Sequence, residues 1–134
     1  MPAMSRFDPP HRDLWSGLAS DDPAAEVGIL GVPFDGAVSF RRGTAFAPAR
    51  LRELTPHLAH CTEEGRPLSL RVRDYGDVPP NLNWPRYFQG VEDRALEVLR
   101  HRQALFLGGD HSVTIPLMRA FDQAVDGPFG VLHF

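Results

Sequence analysis

The stretch Ala104–Leu117, ALFLGGDHSVTIPL, decides the architecture. Four apolar residues, Ala104 to Leu107, stop at the Gly108–Gly109 pair, and Asp110, His111 and Ser112 follow at once. A short apolar run closed by glycines reads as a buried strand ending in a tight turn. Beyond the turn, Ser112 or Thr114 can cap a helix, and Pro116 is tolerable in its first turn because the amide it lacks would be unpaired there anyway. Leu117, Met118 and Phe121 give that helix an apolar side. The stretch therefore predicts strand, turn, helix.

The same grammar recurs on either side. EVGILGV (Glu26–Val32) is a β-branched run ended by Pro33–Gly36, which predicts a second buried strand and a loop. After the irregular SFRRGTAFAP, Pro48 opens a helix whose Leu51, Leu54 and Leu58 are spaced to face a core. Partial alternation places a strand near Leu68–Tyr75, ended by a Gly76–Asp77 turn, with loop from Pro79 to Pro85. Tyr87–Arg102 is the clearest helix, with Val91, Ala95, Leu96 and Leu99 on one face and Glu92, Asp93, Arg94, Glu97 and Arg100 on the other. GPFGVLHF (Gly127–Phe134) predicts a fourth strand. Strands alternating with helices imply βαβ units and a largely parallel sheet. Residues 1–23, polar and proline-rich, read as an arm that packs on the domain or on a neighbouring subunit; residues 24–134 carry the βα units of one domain.

Composition narrows the function. The chain has 134 residues, 43% hydrophobic and 23% charged, with a net charge of −3, the profile of an ordinary soluble domain. No basic cluster offers a footprint for nucleic acid. No apolar run is long enough to span a bilayer, and the first residues hold no secretory apolar core, so a cytoplasmic location is the expectation. Cys61 stands alone, which excludes an internal disulfide and a four-cysteine zinc site and suits a small hydrophobe near a helix end. All 14 basic residues are arginine, which excludes Schiff-base chemistry and a phosphate-binding loop lysine in this chain.

In open parallel sheets ligands bind beyond the carboxyl ends of the strands, where GGDHS stands. Glycines there allow close backbone approach, and an imidazole can hold a metal if other ligands converge from neighbouring strand ends. The spacing alone leaves two readings of His111, a metal ligand or a hydrogen-bonded turn residue. His11, His57, His60, His101 and His133 form no HxH or HxxxH pair. His57 and His60 can face one way on a helix or simply line a solvated face. Asp35 can shape a site rim or bond its own loop backbone. Arg41 and Arg42 can grip a carboxylate or a neighbouring subunit, or stay solvated.

Four segments in this order, GILGVPFDGAVSFRRGTAFAPARLREL, YGDVP, LFLGGDHSVTIPLMRAF and GVLHF, resemble the ureohydrolases, the arginase, agmatinase and formiminoglutamase family. The resemblance runs from Glu26 to Phe134, and GVPFDG…SFR is most similar to the agmatinase branch. Arg42 and Ala47 depart from it, since the family often has Pro and Gly there. The resemblance implies the N-terminal part of a three-layer α/β/α arginase-like fold with a mainly parallel sheet. It implies that His111 is a manganese ligand with Asp110 as its supporting neighbour. It implies two Mn2+ per active site, with the other ligands, supplied in the family by DAHxD and DxD motifs, and the catalytic acid and base lying outside this chain. The implied reaction is attack of metal-activated water on a guanidinium carbon, most simply agmatine to putrescine plus urea, in a trimer or hexamer. The chain is accordingly expected to be a fragment, inactive alone. Two other readings stand beside it: a non-catalytic remnant serving binding or assembly, and a small α/β module holding an anion at the GGDHS turn.

Overall fold

The structure, a computed structural model, describes residues 13–133. Strands β1 (Val27–Val32), β2 (Val72–Asp77) and β3 (Gln103–Gly108) and helices α1 (Ala47–Leu54), α2 (Trp84–Val98) and α3 (Thr114–Ala124) follow in the order β1, α1, β2, α2, β3, α3. The sheet order is β2-β1-β3, and both pairings are parallel. The chain is thus the α/β fold that the alternating pattern predicts.

β1 is central and covered on both faces, which is why its sequence is continuously apolar rather than alternating. Ile29, Leu30 and Val32 are at most 2% exposed. Leu30 and Val32 pack with Phe34, Val78, Tyr87, Val91, Val98 and Val113 beneath α2 and α3. Ile29 packs with Val72 and Leu107 on the other face, where Trp15 and Leu18 close over them. There the indole of Trp15 donates to Asp74 (2.9 Å). The glycines of β1 serve close approach: a Cβ on Gly31 would lie 1.8 Å from Oδ1 of Asp77. Helix α2 begins at a real cap, with the Asn83 side chain accepting from the amide of Arg86 (3.1 Å) and Pro85 in the first turn.

Six expectations need correction. The strand expected at Leu68–Tyr75 lies at Val72–Asp77. Leu68 is tied back to the preceding loop, its amide donating to the carbonyl of His60 (2.8 Å), so the sheet starts later. Gly76, at φ 72°, is a bulge within β2 rather than its end: the register steps from Ile29↔Asp74 to Gly31↔Asp77.

Helix α1 presents to the domain the face opposite to that expected. Leu51, Leu54 and Leu58 are exposed, while Pro48, Arg52 and Thr55 point inward. Arg52 decides the orientation. Its guanidinium binds both oxygens of Asp74 (2.7 and 2.9 Å), Oδ1 of Asp77 (2.5 Å) and the carbonyl of Gly76 (3.1 Å). Two carboxylates at the end of β2 require a partner more strongly than these three leucines require a core. Burial disfavours the Arg52 charge, but Asp74 and then Asp77 outweigh it and raise its pKa.

Residues 128–133 form no strand; Val131 and Leu132 are exposed. An apolar run supplies β propensity, but a strand also needs a ladder partner, and β3 pairs only with β1 among the described residues. Glu92, expected on the solvent face of α2, is buried and paired with Arg119 (3.3 Å). Cys61 is exposed rather than packed as a hydrophobe.

Candidate functional site at the carboxyl rim of the sheet

β1 and β3 run parallel and side by side, so the loops after them leave the sheet together. These loops are joined by backbone. The amide of Gly109 donates to the carbonyl of Val32 (3.1 Å), and that of Asp110 to the carbonyl of Phe34 (2.7 Å). Gly109 is obligatory there, because a Cβ would stand 1.9 Å from the Phe34 oxygen.

Asp110 is buried, and its carboxylate is saturated. Oδ1 accepts from the amide (2.9 Å) and hydroxyl (2.5 Å) of Ser112, and Oδ2 accepts from the amide of Ala37 (2.8 Å). The residue that caps the 3-10 turn His111–Val113 is therefore Asp110, and neither Ser112 nor Thr114 serves as an N-cap. The same carboxylate holds the loop after β1. Asp110 is a brace that fixes where His111 begins.

The His111 ring stands exposed on that turn. Its neighbour in space is His133, with ring centroids 5.6 Å apart and planes at 39°. No sequence spacing could reveal this pair, since the two residues are 22 positions apart with all of α3 between them. As a donor set, two exposed imidazoles suit a transition cation, whereas the Asp110 carboxylate is occupied by its three protein donors. No group of three or more His, Cys, Asp or Glu able to hold a metal occurs among the described residues.

The other sequence candidates lie elsewhere or serve the backbone. Asp35 accepts from the amide of Gly43 (2.8 Å), closing its own loop. Arg41 and Arg42 are exposed, and Arg41 lies over the ring of Phe40 (5.1 Å). His57 and His60 line an open cavity of about 370 Å3 with Asp13 and Ser16, to which no residue of GGDHS contributes. His101 is a pin: Nδ1 donates to the carbonyl of Ala25 (2.7 Å), leaving Nε2 to accept from the Tyr75 hydroxyl (2.8 Å). His11 lies outside the described residues.

A parallel α/β sheet with an exposed imidazole at its carboxyl rim has the plan of a ligand-binding α/β protein. The sequence matches the Arginase family over residues 25–134, and the chain belongs to that family. It is 36% identical over 126 residues to the guanidinopropionase of Pseudomonas aeruginosa, covering 87% of this chain and 38% of that protein. Its structure is similar to that of a hypothetical agmatinase from Burkholderia thailandensis, with 31% identity and a TM-score of 0.67 over 78% of this chain and 36% of the other. It is similar in fold to the formiminoglutamase of Trypanosoma cruzi solved with Mn2+, with a TM-score of 0.71 and 24% identity over 82% and 40% of the two chains. The chain thus spans well under half the length of these relatives.

Proposed function

We propose that the protein is a ureohydrolase that cleaves a guanidino C–N bond and releases urea, that agmatine is its substrate with putrescine as the second product, and that it works with Mn2+ in the cytoplasm as a homo-oligomer. The observation that carries this reading is the rim itself. An exposed imidazole on a braced turn at the end of a parallel strand lies within a sequence that matches the Arginase family. In this reading His111 is a metal ligand. Asp110 orients it by holding the turn, not by touching the metal. Divalent cations, when bound, make water a nucleophile at neutral pH. The residues of this chain offer nitrogen at the rim and hold the loops after β1 and β3 together.

The agmatine preference rests on the similarity of GVPFDG…SFR to the agmatinase branch. The test is urea release by the natural gene product with Mn2+, using agmatine, arginine, guanidinobutyrate and guanidinopropionate in parallel. Agmatine is expected to react fastest, and His111→Ala to lower the rate by more than a hundredfold. Failure of every guanidino compound to yield urea would remove the reading. The 134-residue chain by itself is expected to release none, since manganese takes six or so ligands. Turnover near the roughly 10 s−1 typical of enzymes would refute that expectation.

A second reading, an assembly piece without catalysis, is favoured by the outward apolar side of α1, where Phe46, Leu51, Leu54 and Leu58 are exposed. Association of the chain that Leu54→Lys abolishes, together with the absence of urea release by the natural gene product, would support it.

A further inference from the structure

We infer that the Asp126–Gly127 step is a site of spontaneous covalent modification, at which the folded protein converts aspartate to isoaspartate through a cyclic imide. The inference stands apart from the reading of His111 and from urea release.

The sequence holds two Asp-Gly steps, Asp35–Gly36 and Asp126–Gly127, and the chemistry open to each is the same. The glycine backbone nitrogen attacks Cγ of the preceding aspartate in its protonated carboxyl form. The N–Cγ bond forms, the Cγ–O bond breaks, and the hydroxyl leaves with the amide proton as water. Water then reopens the imide at either carbonyl. Opening at Cγ restores aspartate. Opening at the main-chain carbonyl leaves the chain running through Cγ, which is isoaspartate. No oxidant or reductant enters, and the mass is unchanged. Glycine favours the closure because no side chain crowds its nitrogen.

The fold separates the two steps. At the first, the Asp35 carboxylate accepts from the amide of Gly43 (2.8 Å). The carbonyl of Phe34 accepts from the amide of Asp110 (2.7 Å), and the amide of Ala37 donates to the Asp110 carboxylate (2.8 Å), so both flanks are tied to the rim. Gly36 is enclosed as well: a Cβ there would lie 2.6 Å from Trp84 and 2.7 Å from Phe34. The second step follows α3, which closes with the amide of Val125 donating to the carbonyl of Phe121 (3.1 Å). Asp126 and Gly127 are both exposed. Among the described residues no hydrogen bond or ion pair engages the Asp126 carboxylate or the Gly127 amide. Gly127 holds φ 97° with open space where a Cβ would stand. Nothing there restrains the approach of carboxyl to nitrogen. The methylene that isoaspartate adds to the main chain falls at the root of residues 128–133, where Phe129 packs edge-on against Phe121 (ring centroids 4.8 Å apart).

The test keeps the natural gene product at neutral pH and physiological temperature and locates isoaspartate at intervals by electron-transfer fragmentation of its peptides. The same protein unfolded in guanidinium chloride gives the reference rate of each step. Folding is expected to leave the rate at Asp126 within a few fold of its reference. At Asp35 folding is expected to suppress the rate at least about tenfold, because reaction there requires local opening of the rim. Gly127→Ala is expected to slow the step at Asp126 roughly tenfold, since a Cβ then crowds the attacking nitrogen. Circular dichroism checks that the variant keeps the fold. Suppression at Asp126 as strong as that at Asp35, or a Gly127→Ala variant that reacts at the parent rate, overturns the inference.

Discussion

Asp110 concentrates more structural consequence than any other rim residue. One carboxylate satisfies two backbone amides and a hydroxyl from both loops of the rim. Removing it leaves those part-buried donors without their partner, at up to about 1–3 kcal/mol for each group that water does not reach. Asp110→Ala should lower the urea midpoint of unfolding clearly, and Ser112→Ala, which removes only one of the three donors, by much less. Tyr87 behaves in the opposite sense. Its hydroxyl is buried without a partner among the described residues, and burial, then Asp77, push its pKa from 10 to about 12. A folded pKa above the unfolded one means stability that is intact below pH 10 and lost as pH rises from 10 towards 12. Tyr87→Phe should therefore be neutral or stabilising at pH 7 and should remove part of the alkaline decline in the urea midpoint. These two residues also mark what a sequence can disclose. GGDHS announced a rim and a candidate ligand, but the saturation of Asp110 depends on Ala37, 73 positions away, and no local pattern encodes it.

At the scale of elements, α1 is the instructive case. Its leucines have helical spacing, and the helix exists, yet its inward side is set by ion pairing of Arg52 with Asp74 and Asp77. Breaking such a part-buried network by removing one partner costs about 3–5 kcal/mol. Arg52→Ala should approach that loss, whereas Leu54→Lys on the outward side should stay within about 0.5 kcal/mol. Chemical denaturation of both variants checks the orientation directly, because a core-facing Leu54 would reverse the ranking. Elements whose burial is uniform, such as β1, were legible from composition. Those with one polar and one apolar side, such as α1, were legible as elements but not in orientation, since amphipathic spacing says that a helix has two sides without saying what waits opposite each. The stretch 128–133 shows the complementary limit: β propensity does not create a ladder partner.

Across the whole molecule, the entry to β1 is fastened to the approach to β2. Glu26 accepts from the backbone amide (2.8 Å) and guanidinium (2.9 Å) of Arg71, which also binds Asp22. The side-chain bonds from Arg71, followed by its backbone amide, lower the Glu26 pKa from 4.5 to about 2. A depressed folded pKa contributes stability above the unfolded value that is lost as pH falls from 4.5 towards 2. Melting temperatures measured between pH 2 and 6 should fall across this window, and Glu26→Gln should flatten the fall. An unchanged acid limb in that variant would show that the clamp contributes nothing to the fold.

The amino-acid sequence by itself determined that strands and helices alternate, that the sheet is parallel, that β1 is buried and that His111 stands at a strand end. These follow from local periodicity and from glycines that punctuate it, which any chain carries in its order of residues. Tertiary structure alone decided which side of α1 faces inward, where β2 begins, that Asp110 is a brace and that His133 comes to lie beside His111. Each of these depends on groups far apart along the chain meeting in space. Their energies, from charge pairing to hydrogen-bond saturation, exist only once the backbone has brought them together.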